Sequence, residues 1–355
     1  MSTFAFGTYR VNDENLLHIE ALKEAIDLGV RVIETAPYYT DGGAQRAVKK
    51  VMQLFEDKIR DEIEIISKCL LPKENDQDIK ALIHEQIDAS LENLQLLKIE
   101  SCLIEDCAES SLLEVFTAFE KAVREGKIQS YGMSADSIKD IESVLSTAKE
   151  AAQKTGNEEH SFTTLELPVN MLEQENLKTA KEAKKHGLRV LSNRPLNAQK
   201  DGLMYRLAEY DEPQEYYHTL NELLEICDND DLRVLYNLIE QMDANKHKFG
   251  FIGEYDTFLS LQILPHIKKA IENIHEDVLD VLLEYIERFL RNYREMVAYE
   301  SAKMTRTTLK EYFSDCNAKM QECALRFLLQ NDGIDNIVIS MRQPRYVQEV
   351  MALKA

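Results

Sequence analysis

The sequence predicts an α/β fold, a (β/α)8 TIM barrel with a large helical insertion after strand 7. Three observations point there. Short apolar, strand-like runs alternate with longer runs of 3.6-residue periodicity, and eight such strand runs can be read along the 355 residues. Repeated strand–helix alternation implies parallel strands, and eight of them favour closure into a barrel. No GxGxxG follows the first strand, which argues against an open doubly wound sheet.

The first strand is read at 4–9 (FAFGTY), with an amphipathic helix over 16–29. The second, 30–35 (VRVIET), runs into Ala36, Pro37, Tyr38 and Tyr39. The third, 63–68 (IEIISK), precedes a helix over 78–97, and the fourth, 99–105 (IESCLIE), precedes one over 112–126. The fifth and sixth, 128–134 (IQSYGMS) and 162–168 (FTTLELP), are again followed by periodic segments. The seventh is 188–194 (LRVLSNR) and the eighth 336–340 (NIVIS). Gly29, Gly126 and Gly187 stand where a left-handed C-cap closes a helix.

Residues 200–315 interrupt the last unit. They carry strong helical periodicity, as over 278–297, and few strand signals. They are too long and too apolar for a disordered linker, so they are read as a helical insertion within a single barrel domain, 1–355. The remaining about 240 residues are close to the ~250 of a plain barrel. An insertion leaving strand seven starts at the face where such barrels build their sites. A lid, a dimerisation arm and a passive embellishment are the three readings.

A formal charge of −21 argues against nucleic acid or an anionic membrane as partner. No window has the roughly 18 apolar residues of a membrane span, and the first residues lack the basic start of a signal peptide. Cys69, Cys102, Cys107, Cys227, Cys316 and Cys323 are scattered, with no CxxC pair. They are expected to be reduced, mostly buried thiols of a cytoplasmic protein, with no metal site.

The chemistry gathers at the strand ends. Strand two ends in a carboxylate, Glu34, with the phenol of Tyr39 close behind, and strand three ends in Lys68. In a parallel barrel both tips open on one face. An ammonium group beside a phenol stabilises the phenolate and draws its pKa down from about 10. Tyr39 is then suited to protonate a carbonyl oxygen while a hydride attacks the carbon.

Eight segments in register carry a resemblance. They are GTYR (7–10), GVRVIETAPYY (29–39), IISK (65–68), LKIESCLIED (97–106), AVREGKIQSYGMSA (122–135), LELPVNMLEQE (165–175), HGLRVLSNRPL (186–196) and ALRFLLQ with IVISMRQP (324–344). In order and spacing they resemble the aldo-keto reductase family, over nearly everything outside the insertion. The resemblance implies a barrel that binds NADP (NADPH) and reduces a small-molecule carbonyl substrate without a metal. Of the family's catalytic Asp, Tyr, Lys and His, it implies Glu34, Tyr39, Lys68 and Glu105. The Asp is thus a longer carboxylate, and the His is replaced by Glu105, where none of the eight histidines falls. A Glu at that position resembles reductases of conjugated carbon–carbon double bonds, acting as a neutral acid that donates to the carbonyl oxygen. With Glu34 nearby as well, one lysine faces two carboxylates.

For the cofactor the resemblance implies Gly7, Thr8 and Tyr9 beneath the nicotinamide ribose. It implies Ser134, whose usual Asn neighbour is Ala135, and Glu166 where the family has Gln. Arg194, Pro195 and Leu196 keep the turn after strand seven, although Asn193 stands in place of an aromatic platform. Arg342 implies contact with the adenosine 2′-phosphate. Two functions follow as expectations. One is an NAD(P)H-dependent oxidoreductase of a carbonyl or conjugated enone, with Tyr39 as proton donor tuned by Lys68. The other is a non-catalytic barrel that binds a ligand or protein partner.

Overall fold

Apolar residues alternating along eight parallel strands build the frame, in a computed structural model that describes residues 3–72, 78–272 and 274–354. The strands are β1 (Thr3–Gly7), β2 (Val32–Glu34), β3 (Glu64–Leu70), β4 (Ile99–Glu105), β5 (Ile128–Ser134), β6 (Phe162–Pro168) and β7 (Arg189–Asn193). A separate hairpin, β8 (Asn197–Lys200) with β9 (Leu203–Arg206), precedes the last barrel strand, β10 (Asn336–Ile339). The barrel closes in the order β1, β10, β7, β6, β5, β4, β3, β2, every pairing parallel.

Ala5, Val32, Ile66, Leu103, Leu191 and Val338 form a buried apolar cluster contributed by six of the strands. Such a layer makes the interior a packed core and not a channel. The alternate strand residues, among them Phe4, Phe6, Ile65, Ile104 and Val190, are buried as well. Both faces of each strand are therefore covered, as a parallel sheet requires.

The helices start and stop where local chemistry dictates. Asn15 caps the helix Leu16–Asp27, Asp78 caps Ile79–Leu94, and Asp140 caps Ile141–Thr155, each side chain accepting from free first-turn amides. Gly29, Gly126 and Gly187 all adopt positive φ, between 76° and 92°. Ile79–Leu94 ends instead on Gln95, held left-handed at φ 54°.

Contact density divides the chain into two compact units. Met1–Pro195 with Leu325–Ala355 forms the barrel, and Leu196–Ala324 forms the second. The second contains the hairpin β8–β9, which the helical periodicity of the segment did not suggest. It also contains the helices Tyr216–Cys227, Arg233–Asn245, Ile252–Phe258, Leu264–Ala270 and the 33-residue Glu276–Thr308. It has its own core, in which Tyr216, Tyr255, Phe289 and Tyr293 pack as a cluster of rings. The Tyr216 hydroxyl donates to Asp243 at 2.7 Å and that of Tyr293 to the Met242 carbonyl at 2.7 Å, so these buried phenols are satisfied.

The cysteine reading needs correction. Cys316 and Cys323 are joined in a disulfide, their Cα atoms 6.1 Å apart across the turn that leads into the helix Met320–Leu329. Spacing alone does not reveal such a turn. Cys69, Cys102, Cys107 and Cys227 are free, and the buried sulfurs of Cys69 and Cys102 lie 3.5 Å apart. Disulfides persist in oxidising surroundings, so cysteine usage no longer argues for a reducing compartment. Among the described residues no helix is long and apolar enough to cross a membrane.

Candidate active site

Side chains along a strand alternate in direction, so two residues beyond each interior apolar position lies the next inward-facing one. Counting on from Ala5, Val32, Ile66, Leu103 and Leu191 gives Gly7, Glu34, Lys68, Glu105 and Asn193 at the C-terminal ends of their strands. Registration of Glu105 with Ser134, and of Ser134 with Glu166, completes the ring across β4, β5 and β6. Expected site residues on six strands, β1 to β6, thus reach one end because the barrel places one inward position of each there.

Lys68 is at the centre. Its ammonium lies 3.1 Å from Glu34 Oε1 and donates to Glu166 Oε1 at 2.6 Å. All three side chains are almost fully buried. Glu166 Oε1 also accepts from Ser134 Oγ at 3.0 Å and Asn193 Nδ2 at 2.8 Å. The Tyr39 hydroxyl donates to Glu34 Oε1 at 2.9 Å. The longer Glu, in place of Asp, thus serves the phenol and the ammonium with one oxygen.

The electrostatics depart from the sequence expectation in one respect. Lys68 does not bring the Tyr39 pKa down. Burial first, then the carboxylates of Glu34, Glu105 and Glu166, push it well above the ordinary phenol range. Desolvation opposes the charge on Lys68, but Glu166, Glu34 and Glu105 outweigh it and hold its pKa well above normal. An ammonium so compensated offers little net field to the neighbouring phenol. Burial raises the pKa of Glu34, which Lys68 opposes and Glu166 reinforces.

Glu105 stands at the end of β4. It accepts a short hydrogen bond from the Tyr38 hydroxyl. Burial, then the charge of Glu105, raises the Tyr38 pKa far above normal. Tyr38 was passed over in the sequence because Tyr39 holds the matching position. Tyr38, Tyr39 and Tyr9 meet edge to face, with centroids 5.2 Å and 5.4 Å apart, and Tyr9 is largely exposed. Asn193 was noted only as a missing aromatic ring, yet its amide is part of the polar cluster. Its place two residues beyond Leu191 was the available signal.

Of the other expected cofactor residues, Gly7 and Thr8 lie beside Glu34. The Thr8 amide donates to the Glu34 carbonyl at 3.0 Å, while its fully buried hydroxyl has no partner. A Cβ on Gly7 would come within 3.0 Å of Val338 and 3.3 Å of Ser340 Oγ, so the strand end is closely packed there. Arg194, at φ 51°, is ion-paired with Asp136 at 3.0 Å and Glu173 at 3.2 Å, and Pro195 follows it in a turn. Leu196 opens the second unit, its carbonyl accepting from Leu207 at 2.8 Å. Arg342 lies near His18, whose pKa is lowered first by burial and then by that guanidinium.

Known proteins resemble this chain in sequence and in fold. The sequence model described as the Aldo/keto reductase family matches residues 3–354. Over 116 residues the chain is 29% identical to methylglyoxal reductase YeaE of Escherichia coli (strain K12), a stretch covering 33% of this chain and 38% of that relative. The match therefore spans well under half the length of the curated relative. Among solved structures, an aldo/keto reductase from Klebsiella pneumoniae in complex with NADP and acetate superposes with a TM-score of 0.51 at 16% identity, covering 99% of this chain and 85% of that one. The holo form of the aldo-keto reductase AKR11C1 from Bacillus halodurans gives a TM-score of 0.55 at 15% identity, covering 99% and 86%. The glycerol dehydrogenase AKR11B4 of Gluconobacter oxydans gives the same three values of score, identity and coverage of this chain, with 86% of its own. At such identities the likeness is one of fold.

Proposed function

The chain belongs to the aldo/keto reductase family, and from that premise we propose that it is an NADP-dependent oxidoreductase acting on a small-molecule carbonyl compound. The observation that carries the reading is the convergence of Tyr39, Glu34 and Lys68, with a phenol–carboxylate contact of 2.9 Å and a carboxylate–ammonium contact of 3.1 Å.

The residues fit a nicotinamide cofactor on two unfilled acceptors. Glu166 Oε2 and Asn193 Oδ1 are buried without a hydrogen-bond partner. Buried acceptors call for a donor, and the carboxamide of a nicotinamide offers two N–H groups. Glu166 and Asn193 would hold that end, with Gly7 and Thr8 near it and Arg342 toward a phosphate. When bound, the reduced cofactor supplies a hydride to the substrate carbon.

The chain's own residues do the rest. Tyr39 holds its proton firmly, because burial and the surrounding carboxylates keep the phenol neutral. It is the proton source for the carbonyl oxygen once its hydroxyl turns from Glu34 to the substrate. Lys68, pinned by Glu34 and Glu166, fixes both carboxylates and keeps the floor of the site from carrying their full charge. Glu105 and Tyr38 line the entrance as a pair.

The test is a panel of aldehydes, ketones, quinones and enones assayed with NADPH and NADH, alongside quenching or shift of nicotinamide fluorescence. Binding of NADPH with turnover of a carbonyl or an enone is the expected result. The compensation of Lys68 by two carboxylates is what favours the second reading, a barrel that binds a ligand or protein without chemistry. Neither turnover nor cofactor binding at millimolar concentration would make that reading the better one.

A further inference from the structure

Glu166 is a wholly buried carboxylate on β6 of which only one oxygen is satisfied. Donors from three strands reach that oxygen. Lys68 Nζ of β3 lies 2.6 Å from Oε1, Asn193 Nδ2 of β7 2.8 Å and Ser134 Oγ of β5 3.0 Å. Oε2 is buried without a hydrogen-bond partner, as is Asn193 Oδ1. A glutamine, the residue that the family resemblance implies here, has an acceptor and a donor to offer. An ionised glutamate offers acceptors only.

The charge is shared as thinly as the hydrogen bonds. Lys68 also lies 3.1 Å from Glu34 Oε1, so one ammonium serves two buried carboxylates. Burying a carboxylate is costly when its cation is divided in this way. A ligand that brings an N–H group and positive charge to Oε2 offsets both deficits. The nicotinamide ring is neutral in the reduced cofactor and cationic in the oxidised one, and its carboxamide is joined directly to the ring.

Resting on the reading of the barrel as an NADP-dependent reductase, we propose that Glu166 makes the cofactor site selective for the oxidised state. Glu166 Oε2 accepts from the carboxamide and sets a buried negative charge beside the cationic ring, so oxidised NADP is held more tightly than NADPH. A neutral Gln would receive the amide of both forms alike. The preference also bears on the reaction. Favouring the oxidised form lowers the potential of the bound couple, by about 30 mV for each tenfold in affinity, and makes bound NADPH the stronger hydride donor. The hydride goes to the carbonyl carbon and the Tyr39 proton to the oxygen. The C=O π bond becomes C–H and O–H bonds, and the cofactor is oxidised.

Calorimetric titration of the whole chain with oxidised NADP and with NADPH, without substrate, reads the preference directly. The dissociation constant of NADPH should exceed that of oxidised NADP by at least about tenfold. The formal charge of −21 also disfavours the more negative NADPH, and salt separates the two effects. Salt screens the surface charge but scarcely the buried contact, so the ratio should persist up to about 1 M salt. Glu166→Gln should bring the ratio toward one, chiefly by weakening oxidised NADP, and Glu166→Asp should keep part of it. The wild-type ratio needs no variant and decides the matter even if Glu166→Gln does not fold. Equal affinities in the wild type, a ratio that vanishes in salt, or equal weakening of both forms in folded Glu166→Gln overturns the charge inference and leaves the reductase reading standing. A salt-resistant preference that needs Glu166, with no reduction of any carbonyl compound or enone, upholds the charge inference and removes the reductase reading. Binding of neither form removes both.

Discussion

Tyr39 and Lys68 show how one methylene can redirect a site. Glu34 reaches both groups with one oxygen, so the phenol's partner is a carboxylate and the ammonium is neutralised from two sides. Tyr39→Phe removes the proton source but leaves the cofactor contacts, and kcat should fall by about 10²- to 10⁴-fold with NADPH affinity nearly kept. Stopped-flow turnover with fluorescence titration separates the two quantities. Lys68→Met leaves two buried carboxylates without their cation and should destabilise the barrel by about 3–5 kcal/mol in urea denaturation. The pH dependence has a definite sign. Tyr39 holds its proton more tightly folded than unfolded, since its pKa is raised from the ordinary 10.0. Its contribution is complete below about pH 10 and is lost as the pH rises beyond it. Denaturation midpoints of the wild type should therefore fall more steeply above pH 10 than those of Tyr39→Phe.

At the scale of single elements, the strand ends matter more than the helices. β2 is only Val32–Glu34, and it delivers Glu34 at its last residue before the turn that bears Tyr38 and Tyr39. β5 approaches β6 so closely at Gly132 that an added Cβ would overlap the Thr164 carbonyl, at a shift in register between the two strands. Ser134 and Glu166, two residues further along each strand, are registered with one another above that point. Gly132→Ala must push the strands apart. It should cost about 1–3 kcal/mol of stability and lengthen the Ser134–Glu166 contact, readable as a lowered denaturation midpoint together with weaker NADPH binding. A change of midpoint alone would place the damage in the core and not at the strand ends.

For the molecule as a whole, the division into two units is the governing fact. The second unit encloses its own apolar core, with Leu282, Phe289 and Tyr293 from one long helix packed on Tyr216, Leu235 and Tyr255. A unit with a separate core is able to unfold by itself. Phe289→Ala should remove about 3–5 kcal/mol from that unit. Calorimetry should then show one transition moved to lower temperature and the barrel transition in place. A single transition that shifts as a whole would mean the two units unfold together.

The barrel was legible because its rules are local and periodic. Alternating apolar residues, helix caps such as Asp78 and Asp140, and glycines such as Gly126 each carry their meaning within a few positions, and period two along each strand aligned Glu34, Lys68 and Glu105 at one end. Which of those groups touch was not legible, because contact depends on strands far apart in the chain. Lys68 and Glu166 are 98 residues apart, and Tyr38 and Glu105 are 67. The hairpin β8–β9 and the Cys316–Cys323 disulfide depend in the same way on turns that no periodicity records. Tertiary structure alone decided the charge balance. A pKa follows from the burial of a group and the charges around it, and the barrel set three carboxylates and one ammonium about Tyr39. The sequence had set Lys68 beside that phenol with Glu34 and Glu105 facing the lysine, and the folded chain added the buried carboxylate of Glu166.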